Sequence, residues 1–133
     1  MINPTVLLED LFSRGAKLRP PARAVAIEQL ESEIGYMIDE DIKSIFRTFD
    51  GFMDDDFDER SFISIWPIEK MISNLDRRRL PLVCFADGSF SAVIFEVDMS
   101  SRHSPVTERF TGKLLAETYL AFWQNLLADQ YKF

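Results

Sequence analysis

The chain has 133 residues and a formal net charge of −7, with a 47% apolar share and 13% aromatics. This describes one packed domain over residues 1–133 rather than a disordered chain, and it excludes a nucleic-acid grip, which needs a basic face. No apolar run approaches the roughly 18 residues of a membrane span, and the lone Cys84 excludes an internal disulfide. The N-terminal stretch MINPTVLLEDLF lacks a basic start and carries acids within its apolar part, so it does not read as a secretory signal. With a free cysteine, this places the expected location in the cytoplasm.

Asn3-Pro4 is a sound helix start, Asn capping and Pro in the first turn. Val6, Leu7, Leu8, Leu11 and Phe12 follow as an apolar face that ends before Gly15. Beyond Pro20-Pro21 a second helix is expected over roughly 21–34, with Ile27, Leu30 and Ile34 at helical spacing and Gly35 closing it. A third is expected over 39–49. Asp39 sits at the cap position, Glu40 and Asp41 complement the dipole, and Ile42, Ile45, Phe46 and Phe49 share one face. Asp50-Gly51 is read as its stop, because Gly accepts the left-handed conformation of a C-terminal cap.

Residues 50–60 (DGFMDDDFDER) break all periodicity and predict a loop. Ser61–Trp66 alternates Phe62, Ser64 and Trp66 against Ile63 and Ile65 and predicts a strand, followed by a short helix over Ile68–Leu75. Leu82–Ala86 and Ser91–Asp98 predict a hairpin through Asp87-Gly88-Ser89, with Val93, Phe95 and Val97 on one face. Residues 99–104 form a polar loop and Pro105–Phe110 a last strand. A terminal helix from near Leu115 carries Leu115, Tyr119, Phe122 and Leu126 in one stripe, with Trp123 and Leu127 adjacent. Helices, then strands, then a helix indicate an α+β domain: an antiparallel meander flanked by N-terminal helices and a C-terminal helix.

Charge is unevenly placed. Residues 28–59 hold twelve acids against Lys43 and Arg47, a local net of −10, so the remainder carries +3. Such polarity bears on partners and association rate. Within it, Phe52, Asp54, Asp55, Asp56, Phe57, Asp58 and Glu59 form an acidic stretch with two aromatic anchors, the pattern of a docking surface for a basic protein; the rival reading is a solvated loop. A calcium loop beginning at Asp54 would need Gly where Glu59 stands and Glu where Ile65 stands, so no metal is expected. His103 is the only histidine, too few for a common zinc site. A Cys84–His103 nucleophilic pair is conceivable by residue type, but Cys84 lies mid-strand among apolar residues, where a thiol is inert. Arg77-Arg78-Arg79 reads as a solvated turn, and Trp66 as a core residue. No phosphate loop or nucleophile elbow is present, so neither an enzyme nor a cofactor is expected.

The order of these signals resembles the SUKH superfamily, which includes fungal cell-wall-synthesis regulators and bacterial immunity proteins. The resemblance spans about 22–128 and is carried by Ile34-Gly35, Asp50-Gly51 and Ile65-Trp66-Pro67, followed by the LPLVCFADG hairpin and the YLAFW of the terminal helix. Met37-Ile38 departs from the family's Leu-Pro before the second of its helices. The resemblance implies a non-catalytic binding module, an immunity protein that neutralises a basic toxin domain by direct contact, as a monomer or weak dimer. The alternatives are a regulatory scaffold binding a cellular protein and, last, a small-ligand or enzymatic role.

Overall fold

A computed structural model describes residues 3–54 and 56–131. The first helix, α1 (Pro4–Ser13), begins as its sequence dictates: the Asn3 side chain accepts from the Thr5 N–H at 2.8 Å. Its inward face is narrower than expected. Leu7 and Leu11 are fully buried, while Val6 and Phe12 stand 48% and 57% exposed. The second helix, α2 (Ala24–Ile34), buries Ile27, Leu30 and Ile34 and ends at Gly35 in the left-handed region, as its spacing predicts.

The third helix, α3 (Glu40–Phe46), is capped by Asp39, whose side chain accepts from the Asp41 N–H. It stops three residues before the expected end, with Arg47 still in right-handed geometry. Gly51 is therefore no helix cap. Its φ is +70°, and a Cβ there would stand 2.6 Å from both the Pro67 nitrogen and the Trp66 carbonyl carbon. The glycine lets two backbones meet, a tertiary demand in place of the local one its sequence context suggested.

Five strands follow: β1 (Ile63–Ile65), β2 (Leu82–Gly88), β3 (Val93–Asp98), β4 (Val106–Glu108) and β5 (Leu114–Ala116). They pair in chain order, all antiparallel, so the fold is α+β with a five-stranded meander. The first strand is shorter than expected because Phe62 adopts φ +59°, outside extended geometry. A helix, α4 (Ile68–Ser73), follows β1, and a 3₁₀ turn at Arg77–Arg79 leads into β2. In the hairpin Asp87 and Gly88 belong to β2, and the turn is Ser89–Ala92. Leu115 and Ala116 were expected at the start of the terminal helix, but Leu114–Ala116 forms β5 beside β4, and α5 (Tyr119–Leu127) starts only where Thr118 accepts from the Ala121 N–H.

A bulge between Cys84 and Ala86 decides what each sheet face carries. The register sets Val83 against Val97 and Ala86 against Phe95, all four buried toward the helices. Phe85 joins them, its ring centroid 5.0 Å from Phe122 and 5.5 Å from Tyr119. Cys84 opposes Glu96 and Asp87 opposes Ile94, so Cys84 and Asp87, three residues apart, share the other face. Phe122, Trp123 and Leu126 of α5 are fully buried, and Trp123 meets Phe49 edge-on at 5.7 Å. The terminal helix thus joins the sheet to the segment after α3.

Gly35 also has positive φ, but a Cβ there meets nothing within 4 Å. Gly35→Ala is expected to cost about 1 kcal/mol for the left-handed backbone alone, and Gly51→Ala more than about 3 kcal/mol once the clash is added. Urea unfolding of the two variants measures the difference. Equal losses would remove the close approach as the reason for Gly51.

Candidate functional site

The acidic stretch after α3 is a strap along the outer edge of β1. The Phe52 N–H donates to the Ile65 carbonyl at 2.9 Å and the Asp58 N–H to the Ile63 carbonyl at 2.8 Å, so both ends are pinned to one strand. Leu18 and Phe52 form a β-bridge on the other side, where the Met53 N–H also donates to the Lys17 carbonyl. Between these ties the Asp56 carboxylate accepts from the Lys17 N–H at 2.8 Å, and the Ser64 hydroxyl donates to the Asp56 carbonyl. Asp50 accepts from the Ile68 N–H at the start of α4. Burial raises the Asp50 carboxyl above the ordinary range, outweighing that hydrogen bond.

The expected partner-facing set is corrected at two positions. Phe52 is 1% exposed and belongs to the core. Asp58 is also 1% exposed; its carboxylate accepts from Arg14 Nε at 2.9 Å and Nη2 at 2.7 Å, and from the Ser61 hydroxyl at 2.7 Å. Asp54 and Glu59 are exposed, Asp56 and Phe57 are half-buried, and Asp55 lies outside the described residues. The charge of the segment is also partly answered from outside it: Arg14 pairs with Asp58, Arg19 with Asp54 and Arg77 with Glu33. Asp56 and Glu59 have no ion pair among the described residues.

Residues distant in sequence complete the site. Phe57 lies 5.8 Å from Phe62 and 5.7 Å from Phe90, ring centroid to centroid, and these rings flank a pocket of about 340 Å³. Its floor includes Asp87, whose carboxylate accepts from Trp66 Nε1 at 2.6 Å and from the Ser91 hydroxyl at 3.3 Å. Phe62 and Phe90 carried the signal of large apolar residues beside turns, but nothing local joined them to Phe57. Trp66, expected in the core, is buried with its indole N–H directed at the pocket's carboxylate.

Along the same sheet face, Glu96 receives a two-pronged contact from Arg79 at 2.7 and 2.6 Å. Arg109 Nη1 donates to Cys84 Sγ at 3.4 Å, and its Nη2 to Asp76 at 3.3 Å. Burial pushes the Cys84 thiol up, outweighing the Arg109 hydrogen bond, so the sulfur is a neutral thiol at pH 7. Its polar neighbours are Arg109 and Glu96, while His103 is exposed in the loop before β4. Arg77-Arg78-Arg79 is also more than a solvated turn, since Arg77 and Arg79 each bind a carboxylate on another element. Among the described residues no group of three His, Cys, Asp or Glu is placed to hold a metal, and no helix is long and apolar enough to cross a membrane.

Compared with family models and with curated proteins, the sequence gives no match. The SUKH resemblance therefore rests on the order and spacing of its motifs.

Burial pushes the Asp58 carboxyl up, but the hydrogen bonds from Arg14 and Ser61 outweigh it and hold it below the ordinary range. Its ionised form thus stabilises the fold above about pH 4, and that contribution is lost as pH falls through the lowered value. Asp58→Asn leaves the buried Arg14 with the half-exposed Asp129 as its remaining counter-charge and is expected to cost about 1–3 kcal/mol at pH 7. The gap between the two proteins should begin to narrow below about pH 4, where the unfolded chain takes up the proton, and close only as pH falls through the lowered native value. Urea midpoints from pH 2.5 to 7 measure this; a gap independent of pH would assign the loss to packing.

Proposed function

We propose that the protein is a SUKH-like binding module that neutralises a basic toxin domain by covering it. The observation that carries this reading is the strap itself: an acidic, aromatic-bearing segment held at both ends by the backbone of β1. Preorganisation of this kind lowers the ordering cost of association. A toxic nuclease needs a basic surface to grip phosphate, and an acidic rigid partner approaches such a surface by electrostatic steering. The motif order supplies the family side of the argument. In this reading Asp54 and Glu59 steer, Asp56 and Phe57 stand at the contact, and Phe52 and Asp58 hold the strap in place.

The test searches the reading frames beside this chain's gene for a basic toxin-like domain and measures its association with the chain at two salt concentrations. Asp54→Asn with Glu59→Gln is expected to slow association about threefold to tenfold at low salt, to flatten its salt dependence, and to leave dissociation nearly unchanged. An unchanged association rate would take the strap out of the interface. A chain that neither binds that domain nor protects cells from it would overturn the immunity reading.

A chemical role for the thiol makes the opposite forecast for Cys84. Cys84→Ala is expected to leave binding and protection intact and to lower stability by about 1 kcal/mol. Loss of protection in a folded Cys84→Ala protein would replace the binding module with an enzyme.

A further inference from the structure

Three of the four buried carboxylates are fully answered. Asp58 has Arg14 and Glu96 has Arg79. Glu108 accepts from the N–H groups of Ile94, Phe110 and Thr111 and from the Thr111 hydroxyl. Asp87, 8% exposed, has only a neutral indole and a hydroxyl at 3.3 Å, and pairs with no cation among the described residues. Buried charge ordinarily meets opposite charge. Here the missing charge would come from the pocket, whose wall also holds Asp56, likewise without an ion pair. Lys70 reaches the rim, but its ammonium sits 4.8 Å above the Trp66 ring and bridges to neither carboxylate.

The remaining wall is aromatic and open. Phe62 and Phe90 are 44% and 79% exposed, an unusual state for rings in contact with each other and with Phe57. Their backbone is strained: Phe62, Phe90 and Ser91 have φ of +59°, +56° and +73°, and three of the six described non-glycine residues with positive φ therefore line this pocket. Strain held at one locus marks a functional surface more often than a neutral one. Ring faces beside a carboxylate suit a planar cation, which can lie on a ring and present a fork of N–H donors.

We infer that this pocket takes an arginine side chain of the basic partner, its guanidinium set between the Phe57–Phe62–Phe90 rings and the carboxylates of Asp87 and Asp56. The inference rests on the binding-module reading and names the chemistry that anchors it. Steering by exposed acids sets the encounter, and the occupied pocket sets the residence time.

The experiment needs no toxin. Nα-acetylarginine N-methylamide is titrated into the full chain and the two indole N–H signals are followed by NMR. Trp66 donates directly to Asp87, whereas Trp123 is fully buried and serves as the internal control. A saturable shift of Trp66 alone is expected, with a dissociation constant of about 1–10 mM. The citrulline amide, which is the same shape without charge, should bind at least about tenfold more weakly. Asp87→Asn should abolish the shift. Phe90→Ala, at an exposed position that the fold does not depend on, should weaken binding several-fold even if Asp87→Asn does not fold. No saturable Trp66 shift, equal binding of citrulline, equal binding of the lysine amide, or an unchanged affinity in Phe90→Ala would each overturn the assignment. So would a Trp66 shift that follows protein concentration without ligand, since that marks a second copy of the chain as the occupant. Failure here with toxin binding intact removes only the pocket; arginine binding without toxin recognition removes only the immunity reading.

Discussion

Arg14 and Asp58 meet inside the protein 44 residues apart in sequence, at the C-terminal cap of α1 and the foot of the strap. The same guanidinium reaches the Leu127 carbonyl at 3.4 Å and the Asp129 carboxylate at 3.0 Å, just beyond α5. One side chain therefore ties the first helix, the strap and the last helix together. A buried pair of this kind adds little net stability over a well-packed apolar alternative, because desolvation offsets most of the Coulomb gain. Its consequence is geometric: leaving either partner alone is costly, so the strap has one position. That position places Asp56 and Phe57 beside β1 and the hairpin turn.

The sheet adds the second constraint. In a regular strand without the β2 bulge, Asp87, three residues after Cys84, would fall on the opposite face, among the helices. With it, Asp87 meets Trp66 and Ser91 on the face away from the helices, and Phe85 fills the core against α5. One irregularity in register thus serves both the core and the pocket. The polar layer farther along that face, built from Arg79, Glu96, Arg109 and Asp76, is satisfied within itself. The pocket differs in holding carboxylates that no cation of the described residues answers.

The expected and observed elements agree where the controlling energies are local. Asn3 and Asp39 cap the helices they precede, and the stripes Ile27-Leu30-Ile34 and Ile42-Ile45-Phe46 are buried. Capping bonds and helical faces act within about four residues, so a short window of sequence contains both partners. The strand order also followed from short connections between alternating or apolar runs. The terminal helix starts later than the expected Leu115 because Leu115-Ala116 is compatible with either state and pairing with β4 decides for strand. Thr118 was a local signal for the true helix start, carried by a single hydroxyl.

The sequence by itself determined the α+β class, the meander, the helix caps at Asn3 and Asp39 and the concentration of acid in residues 28–59. Only the tertiary structure decided which of those acids are free. Asp58 is consumed by Arg14, Phe52 enters the core, and Gly51 answers to the backbone of Trp66-Pro67 rather than to the helix before it. It also decided that Phe57, Phe62, Phe90 and Asp87 share a pocket. The physical reason is range. Propensity, capping and periodicity are summed along the chain, whereas burial and ion pairing depend on which segments the sheet brings together. A carboxylate has the same sequence signature whether it meets water, an arginine or an empty pocket.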